Sequence, residues 1–198
     1  MFWDRAVETL LSELSDEAQL RNKLHSKIAN WFAKRNKRYH LPIIIFSVLS
    51  GSGNFVSGQF PLIERWLILG IGCLSIFTSI IGAVAQFLKL SELATEHRIA
   101  SLAWGKFFAT LRIQLQLKKA DRAEPREFLN TVISEYERLF EISPPLLAKF
   151  VEKMAKKVRN LVHNRFKLPF YANGFYGVRA FEESDFENSI ELEEKHDD

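Results

Sequence analysis

The chain has 198 residues, of which 47% are hydrophobic and 26% charged, with a formal net charge of +3 and a single cysteine. This length suits one compact domain plus a hairpin and excludes two large globular domains, and one cysteine excludes an intramolecular disulfide. The charge is divided along the chain, since residues 182–198 carry −8 and residues 1–181 carry +11.

The first predicted element, residues 1–40, is an N-terminal amphipathic helix running from about residue 4 to residue 38. Its charges change from acidic at the start to basic at the end, which suits the helix dipole. Apolar residues recur at spacings of three and four, as on one helix face. These residues are Val7, Leu11, Leu14, Ala18, Leu24, Ile28 and Trp31.

Residues 41–90 form the least charged part of the chain, with Glu64, Arg65 and Lys89 as the charged side chains. Within them, residues 66–88 form an uncharged run that begins at Trp66 and is closed by Lys89. A helix of that length covers about 34 Å, enough to cross a hydrocarbon core of about 30 Å. The sequence therefore predicts a transmembrane helix at residues 66–88.

The apolar run at residues 41–56 is weaker, because it covers only about 24 Å as a helix. Three interpretations are open: a short transmembrane helix, a re-entrant segment and a buried core helix. We favour the first, because a lone second span would leave the two basic flanks on opposite sides of the bilayer. The predicted fold is therefore all-α, an integral membrane two-helix hairpin with a long N-terminal helix and a cytoplasmic helical bundle.

Bases flank the hairpin and predict its orientation. Under the positive-inside rule, both termini are cytoplasmic in a multi-pass membrane protein, and the short loop between the spans lies outside. We expect the nearest bases to contact the surface of the lipid bilayer. These are Lys34, Arg35, Lys37, Arg38 and Lys89.

Small and weakly polar residues recur every three or four positions inside both predicted spans. Such stripes are typical of close helix packing in lipid, and they also suit the polar wall of a pore built by a homo-oligomer. For any single residue we favour packing. The candidate pore-lining or packing residues are Ser47, Ser50, Asn54, Gly72, Ser75, Ser79, Gly82 and Gln86.

We predict that residues 91–165 form cytoplasmic helices. The apolar spacing of three and four continues from the second span to about Lys118 without a helix-breaking residue. We therefore expect one helix of some fifty residues that starts at Arg65. His97 lies on its apolar face, where we favour a hydrogen-bonded core histidine over a proton sensor. Residues 118–123 form a connection, and a further helix begins at Pro125 and ends before Ser143.

Ser143 is then expected to cap a fourth helix at about residues 144–164. One side of this helix is basic, and for it we favour a membrane-facing or solvated surface over nucleic-acid binding. Residues 166–198 form an aromatic and then acidic tail. Its aromatic part predicts docking onto a protein partner, the bundle or the interface, through Phe170, Tyr171, Phe175 and Tyr176.

The pattern resembles a known family. A helix leads into a two-span hairpin, the second span continues as a helix carrying Ala94, His97, Ala100 and Trp104, and a later helix ends in residues 142–145, Ile-Ser-Pro-Pro. Over residues 10–160 this is similar to the SLATT family, the two-transmembrane domains associated with SMODS nucleotidyltransferases and SLOG sensors. The resemblance implies an oligomeric membrane effector that forms pores, with no catalytic residues.

The sequence has none of the phosphate-binding, metal-binding or nucleophile motifs of common enzymes, so we expect no enzymatic activity, no cofactor and no metal site. Two hypotheses follow. In the first, the chain assembles into an oligomer whose polar stripes line a pore. In the second, it is a structural membrane anchor or scaffold, as in a minor capsid or internal-membrane protein of a large DNA virus.

Overall fold

A computed structural model describes residues 3–57 and 64–161, with side chains described over residues 3–53 and 64–156. The helices are α1 (Arg5–Ser57), α2 (Glu64–Phe87), α3 (Leu90–Gln116), α4 (Pro125–Ile142) and α5 (Ala148–Leu161), with a 3-10 turn at Lys119–Asp121. No strand occurs in this part of the chain. The predicted all-α class is therefore confirmed for the described residues.

The fold is dominated by one long antiparallel pair of helical arms. The first arm is α1, and the second consists of α2 followed by α3. Side-chain contacts set the register: Ser50 lies opposite Ser75, and His25 lies opposite His97. At 1.5 Å per residue, the 53 residues of α1 span about 80 Å. The arms are therefore long enough to hold both a membrane-spanning part and an aqueous part.

The first arm differs from our expectation at Pro42. We predicted that a helix ends near residue 38 and that a second one begins at Leu41, but α1 continues through Pro42 without a break. Proline removes a backbone donor and disfavours a helix interior. Residues on both sides of it pack against the same opposite arm, since Phe32 stacks on His97 and Phe46 contacts Phe77. These contacts favour a continuous helix.

The second arm is interrupted where we expected one continuous helix. Lys89 adopts a left-handed conformation with φ of 46°, between the end of α2 and the start of α3. The chain has neither glycine nor proline at this point, so the break has no local sequence signal. It allows Leu90 to be buried and Leu88 to pack in a cluster with Ile28 and Phe32.

Below this break, α1, α3 and α4 enclose the main apolar core. The face that the sequence predicted for residues 4–38 supplies much of it, and the face predicted for α3 supplies the rest. The buried members are Val7, Leu11, Ala18, Ala100, Trp104, Phe107, Leu111, Val132 and Leu139. The lower half of the two arms thus folds with α4 as a helical bundle.

α4 begins at Pro125 and ends before Ser143, as predicted. The role predicted for Ser143 is wrong, because this residue follows α4 as its C-terminal cap and the next helix begins only at Ala148. The Ser143 hydroxyl donates to the Leu139 carbonyl (2.6 Å) and accepts from the buried Trp104 indole (2.8 Å). These bonds hold the segment before α5 against α3 in place of the predicted helix start.

α5 packs across α1 just below the region of Pro42. Phe150 meets the Trp31 ring edge-on at 6.0 Å, and the Lys149 ammonium lies 3.6 Å from the centre of the same ring. Lys149 belongs to the basic side predicted for this helix and is exposed. An ammonium over an indole face is attracted by the ring quadrupole, which helps to fix α5 on α1.

Candidate functional site

The upper part of the two arms presents an apolar surface to its surroundings. Within the described residues, one segment, Glu64–Gln116, is long and apolar enough to cross a membrane, with a mean hydropathy of 2.3 in its most apolar window. Only 6% of that window is buried. The core helix of a soluble protein would be mostly buried, so this surface needs a cover of another kind.

The exposed apolar surface extends over both arms. On α2, Trp66 and Phe87 at the two ends are 74% and 85% exposed. The other exposed large apolar residues at this level are Ile68, Leu69, Ile76, Phe77, Ile80 and Val84 on α2, and Leu41, Ile44, Ile45, Val48 and Leu49 on α1. Water-exposed apolar residues in such numbers are characteristic of a lipid-facing or partner-facing surface.

Contacts between α1 and α2 use small and polar side chains. The Ser50 and Ser75 hydroxyls lie 2.6 Å apart and share a hydrogen bond. A Cβ atom at Gly53 would come within 2.8 Å of Ile71 Cδ1, so the Ile71 side chain would have to shift if this residue carried one. The sequence pattern singled out both serines, but it did not single out Gly53.

Most of the other predicted stripe residues are exposed, as Ser75 also is. Ser47, Gly72, Ser79 and Gln86 are exposed and Gly82 is half-buried, while Asn54 lies in α1 with a side chain outside the described set. A Cβ atom at Gly72 or at Gly82 would meet no atom within 4 Å. Packing within one chain therefore does not require these two glycines.

The predicted surface bases lie next to the apolar surface. Lys34, Arg35, Lys37 and Arg38 are all exposed on the last two turns of α1 before Leu41. Lys89, also exposed, lies at the break between α2 and α3 and pairs with Glu92 at 3.4 Å. Because the arms are antiparallel and in register, these bases form a belt at one level of the molecule.

A buried histidine pair joins α1 to α3 below this belt. His25 and His97 are 0% and 3% exposed, and their Nδ1 atoms lie 2.9 Å apart. Burial lowers the pKa of His25 to about 3, with further contributions from His97 and Arg21, and burial also lowers the pKa of His97. This favours the core-histidine interpretation of His97 over that of a proton sensor.

A polar network that the sequence pattern did not identify lies one turn before His25. Arg21 is 6% exposed, donates to Glu17 at 2.8 Å and sits between the rings of Trp104 and Phe140. The Tyr136 hydroxyl donates to the same Glu17 oxygen, and burial beside this carboxylate raises the pKa of Tyr136 to about 12. The spacing of Glu17 and Arg21, four residues apart on a helix, was the available signal.

In the part of the chain that the structure describes, no group of three or more histidine, cysteine or acidic residues is placed to hold a metal ion. Predicted docking residues Phe170, Tyr171, Phe175 and Tyr176 lie outside the described residues. The candidate features in the described residues are the apolar hairpin, its polar stripe and its basic belt.

Comparison of the chain with protein-family models, curated proteins and solved structures found no match.

Proposed function

We propose that this chain is a non-enzymatic, two-span membrane protein that assembles into a homo-oligomer and forms a pore, as the resemblance to the SLATT family implies. The observation that carries the proposal is the exposed apolar surface of α2, whose most apolar window is 6% buried. Removing apolar surface of this extent from water is favourable in free energy, and a lipid bilayer is the simplest environment that covers it.

A second span follows from the connectivity if α2 crosses the membrane. The lower half of α1 packs against α3, so these two parts lie on the same side of the bilayer. The start of α2 would then lie on the far side, and the end of α1 is joined to it by residues 58–63. α1 must therefore cross as well, although its apolar run covers only about 20–25 Å.

The basic belt supports a cytoplasmic location for the bundle. Bases concentrate just before the first span and just after the second, whereas Arg65 is the base next to the far end. The positive-inside rule relates such an asymmetry to the cytoplasmic side. Exposed lysines and arginines at this level also attract anionic lipids.

Assembly and a pore are supported by the polar stripe on α2. Gly72 and Ser79 are exposed to the surroundings, although small residues in membrane helices usually serve close approach between helices. Their partners would be a second copy of the chain or the water of a pore. Small side chains allow a second copy of the chain to approach closely, and weakly polar ones also suit the water of a pore.

A structural membrane anchor or scaffold is the alternative, and one contact favours it. Ser50 and Ser75, one stripe residue from each span, share a hydrogen bond, so one hydroxyl donor of this pair is satisfied within the hairpin rather than by the water of a pore. In that case the hairpin holds the bundle against the membrane, and residues 166–198 bind a protein partner.

Dye release from phosphatidylcholine vesicles containing the full-length protein distinguishes the two functions. Gly72→Leu with Ser79→Leu fills the stripe, and Gly70→Leu with Cys73→Leu places the same side chain on exposed small residues across the helix. A pore predicts release by the wild type and by the Gly70/Cys73 variant, and loss of release in the Gly72/Ser79 variant. Tight vesicles with inserted wild-type protein would contradict a pore and favour the anchor.

A further inference from the structure

An open groove lies between α1 and α3. Short side chains are among its lining residues, including Ala29 and Ala33 on α1 and Ala94 on α3, and they leave space between the two helices. The groove has a volume of about 580 Å³. Ligand sites in proteins commonly occupy roughly 300–1,000 Å³, so a small molecule of ordinary size fits here.

The walls of the groove combine two cations with neutral hydrogen-bonding groups. Lys37 on α1 and Arg98 on α3 supply the cations, and none of the described residues that line the groove is acidic. Serine, threonine and asparagine side chains also line it. These are Ser26, Asn30, Asn36 and Ser91, together with Thr95 and Ser101, whose hydroxyls donate to the Ser91 carbonyl and to Asn22. This combination is complementary to an anion with several acceptor oxygens.

The antiparallel arrangement brings the two cationic groups toward each other. With His25 opposite His97, the backbone of Lys37 lies about 19 Å along the axis from that of Arg98, at 1.5 Å per residue. Helical side chains lean toward the N-terminus of their own helix. In antiparallel helices these directions oppose each other, so the side chains of Lys37 and Arg98 are expected to lean toward each other along the groove.

Lys37 and Arg98 also differ from many other cations of the described chain in having no carboxylate partner there. Arg21, Lys89, Lys119, Arg122 and Arg138 all form ion pairs with acidic side chains. Lys149 and Arg35 lie over the Trp31 ring. The two groove cations form no ion pair, hydrogen bond or ring contact within the described residues, and they are therefore available to an external anion.

We propose that the α1–α3 groove binds a phosphate-bearing anion, with Lys37 and Arg98 contacting the phosphate oxygens and the amides and hydroxyls contacting the rest of the ligand. A lipid headgroup and a soluble phosphate compound share this chemistry. Lys37 lies four residues before the first apolar span, which gives a headgroup access, and the open side of the groove gives a soluble ligand access. The proposal does not depend on the presence of a pore.

Two binding measurements distinguish a lipid headgroup from a soluble phosphate compound. Calorimetry with the detergent-solubilised full chain measures binding of pyrophosphate, and co-flotation measures the preference for vesicles with phosphatidic acid over vesicles of phosphatidylcholine alone. The test variant is Lys37→Gln with Arg98→Gln. The control, Lys34→Gln with Arg38→Gln, removes the same charge from exposed positions of the same belt that do not line the groove. Circular dichroism verifies that both variants fold.

The groove variant should bind its ligand about tenfold more weakly or worse, because both charge-assisted contacts are lost, while the control changes by about twofold or less. Loss of pyrophosphate binding confined to the groove variant supports a soluble ligand. Loss of phosphatidic acid preference confined to it, without pyrophosphate binding by the wild type, supports a headgroup. Equal losses in both variants, or no binding of either probe by the wild type, would overturn the proposal.

Discussion

The Nδ1 atoms of His25 and His97 lie 2.9 Å apart in a pair that bridges the two long arms below the basic belt. One ring donates an N–H and the other accepts, so the pair is stable with at least one ring neutral. Phe32 stacks on His97, and His25 Nε2 has no partner in the part of the chain that the structure describes. Burial of both rings disfavours a positive charge there, and for His25 the neighbouring His97 and Arg21 add to this effect.

The pair predicts a loss of stability in acid. Because the pKa of each histidine is lowered in the folded protein, the unfolded chain binds protons at a higher pH than the folded one. The free energy of unfolding is therefore unaffected by the pair above about pH 6.5 and declines as the pH falls toward 3. Each histidine contributes a slope of at most about 1.4 kcal/mol per pH unit. Denaturation of the detergent-solubilised protein across this range measures the slope. His97→Gln should reduce it, and His40→Gln, at an exposed position, should not; equal slopes in all three proteins would refute this.

The hydrogen bond between Trp104 and Ser143 predicts a coupled pair of mutations. Ser143→Ala leaves a fully buried indole N–H without its acceptor, which should lower the free energy of unfolding by about 1–3 kcal/mol. In a Trp104→Phe background the donor is absent, so the same change should cost less. A double-mutant cycle by chemical denaturation measures the coupling. An equal cost in both backgrounds would show that the bond to the indole does not stabilise the fold.

Because Lys89 adopts a left-handed conformation, we predict that glycine at this position stabilises the protein. A side chain in this conformation costs roughly 1–2 kcal/mol, which glycine avoids, so Lys89→Gly should raise the melting temperature. Lys106→Gly is the matched control, because Lys106 is exposed inside α3 and glycine there should destabilise by about 1 kcal/mol. The break at residue 89 would be contradicted if both substitutions lowered the melting temperature equally.

The buried pair of Glu17 and Arg21 predicts a larger effect than an exposed pair of the same kind. Glu17→Gln removes the carboxylate beside a guanidinium that is 6% exposed, and this should cost roughly 3–5 kcal/mol. Glu135→Gln breaks the exposed pair with Arg138 and should cost about 1 kcal/mol or less. Chemical denaturation measures both changes. Similar costs for the two would mean that the burial of Arg21 carries no electrostatic penalty.

The elements with regular apolar spacing could be predicted from the sequence. The face of α1 that begins at Val7 and the face of α3 through Trp104 are buried, because the apolar stripes of two helices leave water when they pack against each other. The bounds of α4 also followed from local signals, since proline is favoured at a first helical position and a pair of prolines follows Ser143.

The features that sequence reasoning missed depend on contacts between distant residues. Lys89 has no intrinsic preference for a left-handed conformation, so the break depends on how Leu88 and Leu90 pack against the opposite arm. Ser143 suits a helix start by residue type, but its hydrogen bond with the Trp104 indole holds it at the end of α4. The histidine pair needs the register of the two arms, because His25 and His97 are 72 residues apart.

The central claim, a membrane hairpin with the bundle on one side, is tested most directly by cysteine accessibility in cells. The background variant Cys73→Ser removes the one native cysteine, and single cysteines are then introduced as Lys23→Cys on α1, Gln59→Cys between the spans and Lys106→Cys on α3. We expect a membrane-impermeant maleimide to label the cysteine at position 59 in intact cells and those at positions 23 and 106 only after permeabilisation. Labelling of all three from the same side, or of positions 23 and 106 from opposite sides, would contradict the hairpin.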